Sequence, residues 1–195
     1  MSDWIGHECG IAAIRLLKPL DYYIQKYGTP MYGVNKLTLL MEKQHNRGQD
    51  GAGAAVIKLD MPPGEPYIFR TRSAGKNPIM EVSNRLVRSF AEARDRNPKE
   101  YQNGKWAKEN ILFAGELLLG HLRYGTFGGS GETFCHPFLR QNNWMTRNLV
   151  MAGNFNLTNN AELFEMLVDL GQHPRNRTDT CLLYTSDAAD EEDSV

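Results

Sequence analysis

The chain of 195 residues (22.1 kDa) is 41% hydrophobic and 23% charged, which fits one packed domain and excludes wholesale disorder. Its net charge is −1, and no run of Lys or Arg could neutralise phosphates, so nucleic acid is disfavoured as a partner. The sequence begins without the basic and apolar regions of a signal peptide, contains no apolar stretch of membrane-spanning length, and has three cysteines, too few for a disulfide framework. We therefore expect a cytoplasmic protein with no membrane partner.

The amino-terminal segment predicts a strand followed by a helix. Residues 9–14 are small and apolar, which is typical of a strand covered on both faces, and Cys9 lies at its edge. Apolar residues then recur at helical spacing over residues 34–44. The glycines of residues 45–53 break this pattern, so we expect the helix to end in a glycine-rich turn.

Two further strands and a charged segment follow. Residues 54–59 and 67–69 predict strands joined by a hairpin-type connection that contains two prolines and a glycine. Residues 85–110 are mostly charged or polar, apart from an amphipathic helix near residues 79–90. This composition favours an insertion, spanning about 60–110, over a part of the core.

The second half of the chain predicts strands that carry functional loops. Residues 111–122 and 149–152 are apolar and each ends in a polar turn containing glycine, where a strand could deliver side chains to a site. Residues 159–162 resemble a capping box that opens a helix, and Gly171 is placed to close it.

The last residues differ in character from the rest. Residues 181–191 are identified as the in-frame translation of a transposon-end adapter used in sequencing libraries, although an ordinary strand with an acidic tail has a similar composition. We favour the adapter and expect a gene interrupted near Thr180, so that the domain lacks its carboxyl-terminal part. Residues 181–195 are therefore set aside as a non-native tail.

Three residues have side chains suited to chemistry, each with an ordinary structural alternative. Cys9 begins a strand, where a cysteine is more often a small buried hydrophobe than a nucleophile. Arg123 ends an apolar strand and could hold a carboxylate through two hydrogen bonds, or form a surface ion pair. Asn154 follows another strand, where its amide and a turn N–H could stabilise an oxyanion, or simply form a turn.

Other polar residues give weaker signals. Cys135 and His136 are neighbours on a strand and point to opposite faces, so we interpret the pair as structural. Together with His121 they fit no common zinc spacing, and no glycine-rich phosphate loop follows a strand. These residues support neither a metal nor a bound nucleotide.

Five short motifs follow one another between Cys9 and Thr180. They are Cys9-Gly-Ile, Gln44-His-Asn-Arg-Gly-Gln-Asp-Gly-Ala-Gly53, Gly120-His-Leu-Arg-Tyr-Gly-Thr126, His136-Pro-Phe138 and Gly153-Asn-Phe-Asn-Leu-Thr-Asn159. In this order they resemble the class II glutamine amidotransferases, which are N-terminal-nucleophile hydrolases. The Arg47-Gly-Gln-Asp50 form is most similar to the branch that supplies ammonia to phosphoribosyl diphosphate in purine biosynthesis.

The resemblance implies a role for each matching residue. Cys9 would be the nucleophile, with its own α-amino group as the base. The Asn154 side chain and the backbone N–H of Phe155, which stands where the family usually has glycine, would stabilise the oxyanion. Glutamine would be held at its α-carboxylate by Arg123 and at its α-ammonium by Asp179, while Tyr124 to Thr126 begin a closing loop.

The same resemblance implies an α+β fold, a four-layer αββα sandwich that is truncated at its carboxyl end. Residues 1–8 would be a leader and residues 9–180 an incomplete glutaminase domain. No cofactor is expected in this domain, whereas Mg²⁺ with phosphoribosyl diphosphate is expected in a missing synthase domain. Besides glutamine and that domain, the implied partner is a second copy of the full-length chain, as a homo-oligomer.

Two alternatives remain from the sequence. The glutaminase could serve another acceptor, in sugar-phosphate amination or asparagine synthesis. It could also be a silent glutamine-binding module, because a retained Glu8–Cys9 peptide bond leaves the nucleophile with an amide nitrogen that cannot act as a base.

Overall fold

The computed structural model describes residues 8–125 and 131–192, with side chains to residue 186. The strands are β1 (Gly10–Arg15), β2 (Gly51–Ile57), β3 (Ile68–Ser73), β4 (Leu117–Arg123), β5 (Phe138–Arg140) and β6 (Leu149–Met151). The α-helices are α1 (Leu20–Tyr27), α2 (Tyr32–Lys43), α3 (Pro78–Arg96), α4 (Gly104–Asn110), α5 (Asn160–Asp169) and α6 (Asp179–Glu192). Within the described ranges, no helix combines the length and apolar character needed to cross a membrane.

Four strands form an antiparallel sheet in the order β1-β4-β2-β3. Gly10 of β1 lies opposite Leu122 of β4, and Gly51 of β2 lies opposite Arg123. The start of β1, the start of β2 and the end of β4 therefore lie side by side at one end of the strands. This register brings Cys9, the loop before β2 and the residues after β4 together.

The hydrophobic core lies between this sheet and helices α2 and α3. Alternate β4 residues face the helices, because successive side chains of a strand point to opposite faces. Gly120 is one of them: a Cβ there would lie 2.7 Å from the sulfur of Met41 in α2. Leu37, Leu86 and Phe90 are fully buried in this core, and each such side chain stabilises the fold by about 1.5–3 kcal/mol.

The opposite face of the sheet is only partly covered. His121 and Arg123 of β4 point to this side, towards the small antiparallel sheet β5–β6. The prediction that the first strand is covered on both faces is wrong, because β1 is an edge strand and Ile11 remains 44% exposed. The site described below lies on this face.

The predicted helix over residues 34–44 is confirmed by α2, and the hairpin-type connection by the β2–β3 pairing. The interpretation of residues 85–110 as lying outside the core is wrong, since Leu86 and Phe90 of α3 are fully buried against the sheet. The charged residues of α3 occupy its other face. Whether the segment is inserted relative to related chains stays a prediction.

Helices and an antiparallel sheet agree with the expected α+β class. The four layers of the sandwich and its truncation stay predictions. At the start of α5, the Asn159 side chain makes no capping hydrogen bond, so the predicted capping box does not form, whereas Gly171 adopts a positive φ of +82° just beyond the helix.

The segment set aside as an adapter-encoded tail continues α6 rather than forming a strand. Cys181 and Leu182 are fully buried, and the hydroxyl of Thr185 donates to the Cys181 carbonyl. The origin of this segment stays a prediction. Its helix begins at Asp179, so the last of the sequence-predicted site residues opens α6.

Candidate active site

A cleft of about 560 Å³, a volume that includes its open mouth, lies between these strand ends, β5, the turn after β6 and the start of α6. Its lining is Cys9, Arg123, Tyr124, Phe134, His136, Phe138, Gly153, Asn154, Phe155, Asn156, Arg177, Thr178, Asp179 and Thr180. The structure thus brings together every site residue predicted from the sequence except Thr126, which lies outside the described residues.

Cys9 is held against the end of β4. The backbone N–H of Tyr124 donates to its sulfur at 3.4 Å, and the thiol lies 3.8 Å from the Tyr124 carbonyl oxygen. The antiparallel register of β1 and β4 creates this contact, since Cys9 immediately precedes the Gly10–Leu122 pair. An N–H aimed at sulfur stabilises a developing thiolate.

Three glycines in the motif of residues 44–53 allow other groups to approach the backbone closely beneath the cleft. A Cβ on Gly48 would lie 2.7 Å from the Leu122 carbonyl oxygen, whereas Cβ atoms on Gly51 and Gly53 would overlap the Cys135 sulfur and the His136 carbonyl oxygen. Steric need therefore explains why this motif is rich in glycine.

Asp50 ties the loop before β2 to the end of β4. Its backbone N–H donates to the Arg123 carbonyl at 3.0 Å, and its carboxylate accepts from the N–H of Gly125 at 2.8 Å. Arg123 is 7% exposed, and its guanidinium carbon lies 5.9 Å from the ring centre of Phe134. A cation is thus fixed at the base of the cleft.

Asn154 lies in the turn after β6 and is exposed to the cleft. A Cβ on Gly153 would overlap the Phe155 ring, so a larger residue at 153 would displace that ring. The turn is anchored to the sheet because the Gly153 carbonyl accepts a hydrogen bond from His121 Nε2 at 3.1 Å.

Asp179 is oriented from α5. The Asn160 side-chain N–H donates to its carboxylate at 2.7 Å. Next to it, the Thr180 hydroxyl lies 2.6 Å from His136 Nε2. The start of α6 is thereby fixed both to α5 and to the segment before β5.

The sequence did not point to the buried His121 and the half-buried His136 as a pair. The rings of His121 and His136 contact each other at a tilt of 50°, with centroids 4.3 Å apart. Burial lowers the pKa of His121 to about 4 and that of His136 to about 3. One signal could have identified His121: it precedes Arg123 by two residues in a strand and so shares its face.

The structural interpretation of Cys135 and His136 agrees with their contacts. The Cys135 thiol donates to the Ser73 carbonyl at 3.5 Å, and burial raises its pKa. His136 instead contacts His121 and Thr180. In the described part of the chain, no three His, Cys, Asp or Glu side chains are grouped so that they could hold a metal ion.

The fold resembles that of a known class of enzymes. A solved structure of glutamine phosphoribosylpyrophosphate (PRPP) amidotransferase from Bacillus subtilis, complexed with ADP and GMP, matches 91% of this chain and 28% of that chain, with a TM-score of 0.51 and 23% identity. This likeness shows the fold.

A similar sequence is that of amidophosphoribosyltransferase from Bacillus subtilis (strain 168). It is 32% identical over 154 residues, which are 78% of this chain and 24% of that protein, and no family model matches the chain. The chain thus spans about a quarter of the length of this relative. Sequence and fold together support a relationship with glutamine amidotransferases.

Proposed function

We propose that the chain is a glutaminase domain that hydrolyses the side-chain amide of glutamine through a thioester on Cys9. The observation that carries this proposal is the cleft itself. It gathers a thiol, an amide, a cation and a carboxylate, at Cys9, Asn154, Arg123 and Asp179, from four separate parts of the sequence. Each has the chemistry that one part of glutamine, or of its hydrolysis, requires.

The thiol attacks once Cys9 is the first residue. Its free α-amine, with a pKa near 8, takes the thiol proton, and the sulfur forms a bond to the amide carbon of glutamine. The N–H of Tyr124, 3.4 Å from the sulfur, stabilises the negative charge before attack. The base therefore belongs to the nucleophile's own residue, which explains why His136 contacts Thr180 rather than the thiol.

The tetrahedral intermediate carries its negative charge on the former amide oxygen. The Asn154 side chain and the Phe155 N–H are the proposed donors to this oxygen. Collapse breaks the carbon–nitrogen bond, and the protonated α-amine returns its proton to the departing ammonia. Water, deprotonated by the same amine, then hydrolyses the thioester to glutamate and restores the thiol.

Substrate selection follows from the two opposite charges in the cleft. The α-carboxylate of glutamine matches the guanidinium of Arg123, and its α-ammonium matches the carboxylate of Asp179. A free amino acid satisfies both charges at once, whereas a glutamine within a peptide has neither charged group. We therefore infer specificity for free glutamine.

The residue before the nucleophile bears on activation. Glu8 forms an exposed ion pair with Arg47, its carboxylate 3.1 Å from Nη2, and the Glu8–Cys9 peptide bond occupies the α-nitrogen of Cys9. With that bond intact, the nitrogen cannot accept a proton. The 195-residue chain is therefore proposed to be an inactive precursor.

Ammonia release from glutamine tests the proposal. Three proteins are compared at equal concentration: the 195-residue chain, the same chain beginning at Cys9, and the latter with Cys9→Ala. We expect release only from the second. Release from the 195-residue chain would show that the free amine is not needed. Release from the Cys9→Ala protein would show that the thiol is not needed. Glutamine binding without release by all three would instead support the silent binding module.

The acceptor is proposed from similarity alone. We propose that the ammonia passes to phosphoribosyl diphosphate in purine biosynthesis, in a synthase domain that holds Mg²⁺ with that substrate, and that the full-length protein is a homo-oligomer. The name of the Bacillus subtilis relative supports this acceptor over a sugar phosphate or aspartate. The sequence that follows Thr180 in an uninterrupted gene tests it: a diphosphate-binding phosphoribosyltransferase domain is expected, and another synthase domain would overturn it.

A further inference from the structure

The buried His121 and the half-buried His136 join the sheet to the two outer parts of the cleft. His121 Nε2 reaches the Gly153 carbonyl, next to Asn154, and His136 Nε2 reaches the Thr180 hydroxyl, next to Asp179. Their rings contact each other at a centroid distance of 4.3 Å. Contacts of the two histidines therefore connect the central strand β4 to the turn after β6 and to the start of α6.

The backbone of His121 is held within the sheet. His121 lies in β4 opposite Ile11 of β1 on one side and Gly53 of β2 on the other, so its backbone is paired on both sides. A side chain at Gly53 would overlap the His136 carbonyl oxygen, and glycine leaves the room that His136 needs. The sequence of β2 is thus adapted to this arrangement.

The contacts also fix where His121 carries its proton. A carbonyl oxygen only accepts hydrogen bonds, so Nε2 of His121 must carry the hydrogen that Gly153 receives. Nδ1 of each histidine is buried without a hydrogen-bond partner among the described residues. Protonating His121 would therefore create a buried, unpaired N–H.

The charges near the pair oppose protonation as well. Arg123 acts on both rings, and Arg72, which donates to the Cys135 carbonyl at 3.0 Å, acts on His136. Both groups are cations. Their repulsion adds to the desolvation that lowers the pKa of each histidine.

We propose that His121 and His136 are positioning residues: as a neutral pair whose rings contact each other, they set the places of Asn154 and Asp179 relative to Cys9. This inference rests on the proposed function and deepens it. His121 acts through Gly153 on oxyanion stabilisation, and His136 acts through Thr180 on binding of the glutamine α-ammonium. The two histidines therefore control different kinetic constants.

Nitrogen NMR of the imidazoles tests the pair without using activity. In the 195-residue chain we expect both rings to remain neutral between about pH 8 and about pH 5, with the His121 proton on Nε2. The exposed His45 supplies a reference signal in the same spectra. Titration of His121 or His136 above about pH 6, or a His121 proton on Nδ1, would overturn the proposal.

Kinetics of the chain beginning at Cys9 test the division of roles. His121→Leu is expected to lower kcat for ammonia release about 100-fold while KM stays nearly constant, because it releases the turn that carries an oxyanion donor. His136→Leu and Thr180→Val are expected to raise KM about 10-fold. His121→Gln, which keeps a neutral N–H donor, should restore most of kcat.

Controls separate positioning from a general loss of structure. Leu86→Ala weakens the core on the other face of the sheet and should change neither constant per active site, with sites counted by iodoacetamide alkylation of Cys9. If His121→Leu and His136→Leu shift kcat and KM in the same way, or if His121→Gln restores nothing, the proposal is wrong. If the unsubstituted chain releases no ammonia, the proposed function fails, and the NMR result alone decides whether the histidine pair exists.

Discussion

The two sides of the cleft are built differently. On the sheet side, Arg123 ends β4 and Cys9 lies against its end, and β4 pairs with β1 over six residue pairs and with β2 over seven. On the outer side, Asn154 follows the short β5–β6 pairing of three residue pairs, and Asp179 opens α6. Backbone hydrogen bonds therefore place the nucleophile and the cation, whereas single side-chain contacts place the oxyanion donor and the carboxylate.

This difference separates what each side contributes to catalysis. The sheet side cannot move without breaking a ladder of hydrogen bonds, so substitutions there should affect chemistry or folding directly. The outer side depends on His121, His136 and Asn160 for its position. Substitutions there should change kinetic constants while the fold remains intact.

The largest effect is expected from the nucleophile. Cys9→Ala in the chain beginning at residue 9 should lower ammonia release at least about 10⁴-fold, because no other group can form the thioester. The unfolding midpoint in urea should stay nearly unchanged. Cys135→Ala is the matched control, since Cys135 is a buried thiol that donates to Ser73, and it should retain activity. Equal losses in the two variants would contradict the assignment of Cys9.

The next effect concerns the close approach between β2 and the segment before β5. Gly53→Ala should lower the free energy of unfolding by about 3 kcal/mol, because its Cβ would overlap the His136 carbonyl oxygen. Gly64→Ala, in open space with φ of +93°, should cost only about 1 kcal/mol from backbone strain. Urea denaturation measures both values, and a smaller loss for Gly53→Ala than for Gly64→Ala would contradict the packing described here.

Substitution of the two charged residues compares what each side of the cleft contributes to glutamine binding. Arg123→Lys and Asp179→Asn should each raise KM for glutamine about 10- to 100-fold, since each weakens a charge-assisted hydrogen bond. Arg85→Lys, on the exposed face of α3, is the control. A KM unchanged in either of the first two variants would remove that residue from the binding of the amino acid's charges.

The pH dependence of stability is absent at neutral pH and appears only in acid. Burial lowers the pKa of His121 to about 4 and that of His136 to about 3, below the ordinary histidine value. Between those values and about pH 6.5, the unfolded chain binds protons that the folded chain does not, so stability falls as pH falls, by about 1.4 kcal/mol per pH unit for each histidine. Above about pH 7 neither histidine contributes a slope.

Comparison with a variant isolates this contribution. Unfolding free energies of the chain and of His121→Leu/His136→Leu, measured between about pH 4.5 and about pH 7.5, should differ in slope only below about pH 6.5. Parallel curves over the whole range would show that the histidines are not buried as neutral groups.

Much of the sheet side could be predicted from the sequence. Helical spacing identified α2, and proline with glycine identified the connection between β2 and β3. The family resemblance carried by the five motifs also selected residues that line the cleft together, including Cys9, Arg123 and Asn154. What they could not give is the strand register that places Cys9 beside Tyr124.

The outer side and α3 were harder to predict for physical reasons. The amphipathic helix predicted near residues 79–90 is confirmed by α3, but the charged composition of residues 85–110 concealed that Leu86 and Phe90 belong to the core. The histidine pair depends on a contact between β4 and the segment before β5, and no spacing along the chain records such a contact. Burial of residues 181 and 182 likewise follows only from where α6 packs.

Covalent labelling tests the central claim most directly. The chain beginning at Cys9 is treated with a chloroketone analogue of glutamine, in which the carboxamide is replaced by the electrophile, and the modified residue is located by peptide mass spectrometry. We expect one adduct, on Cys9, that free glutamine prevents and that Arg123→Lys slows. An adduct on Cys135 or Cys181, or labelling of Cys9 that glutamine does not prevent, would contradict it.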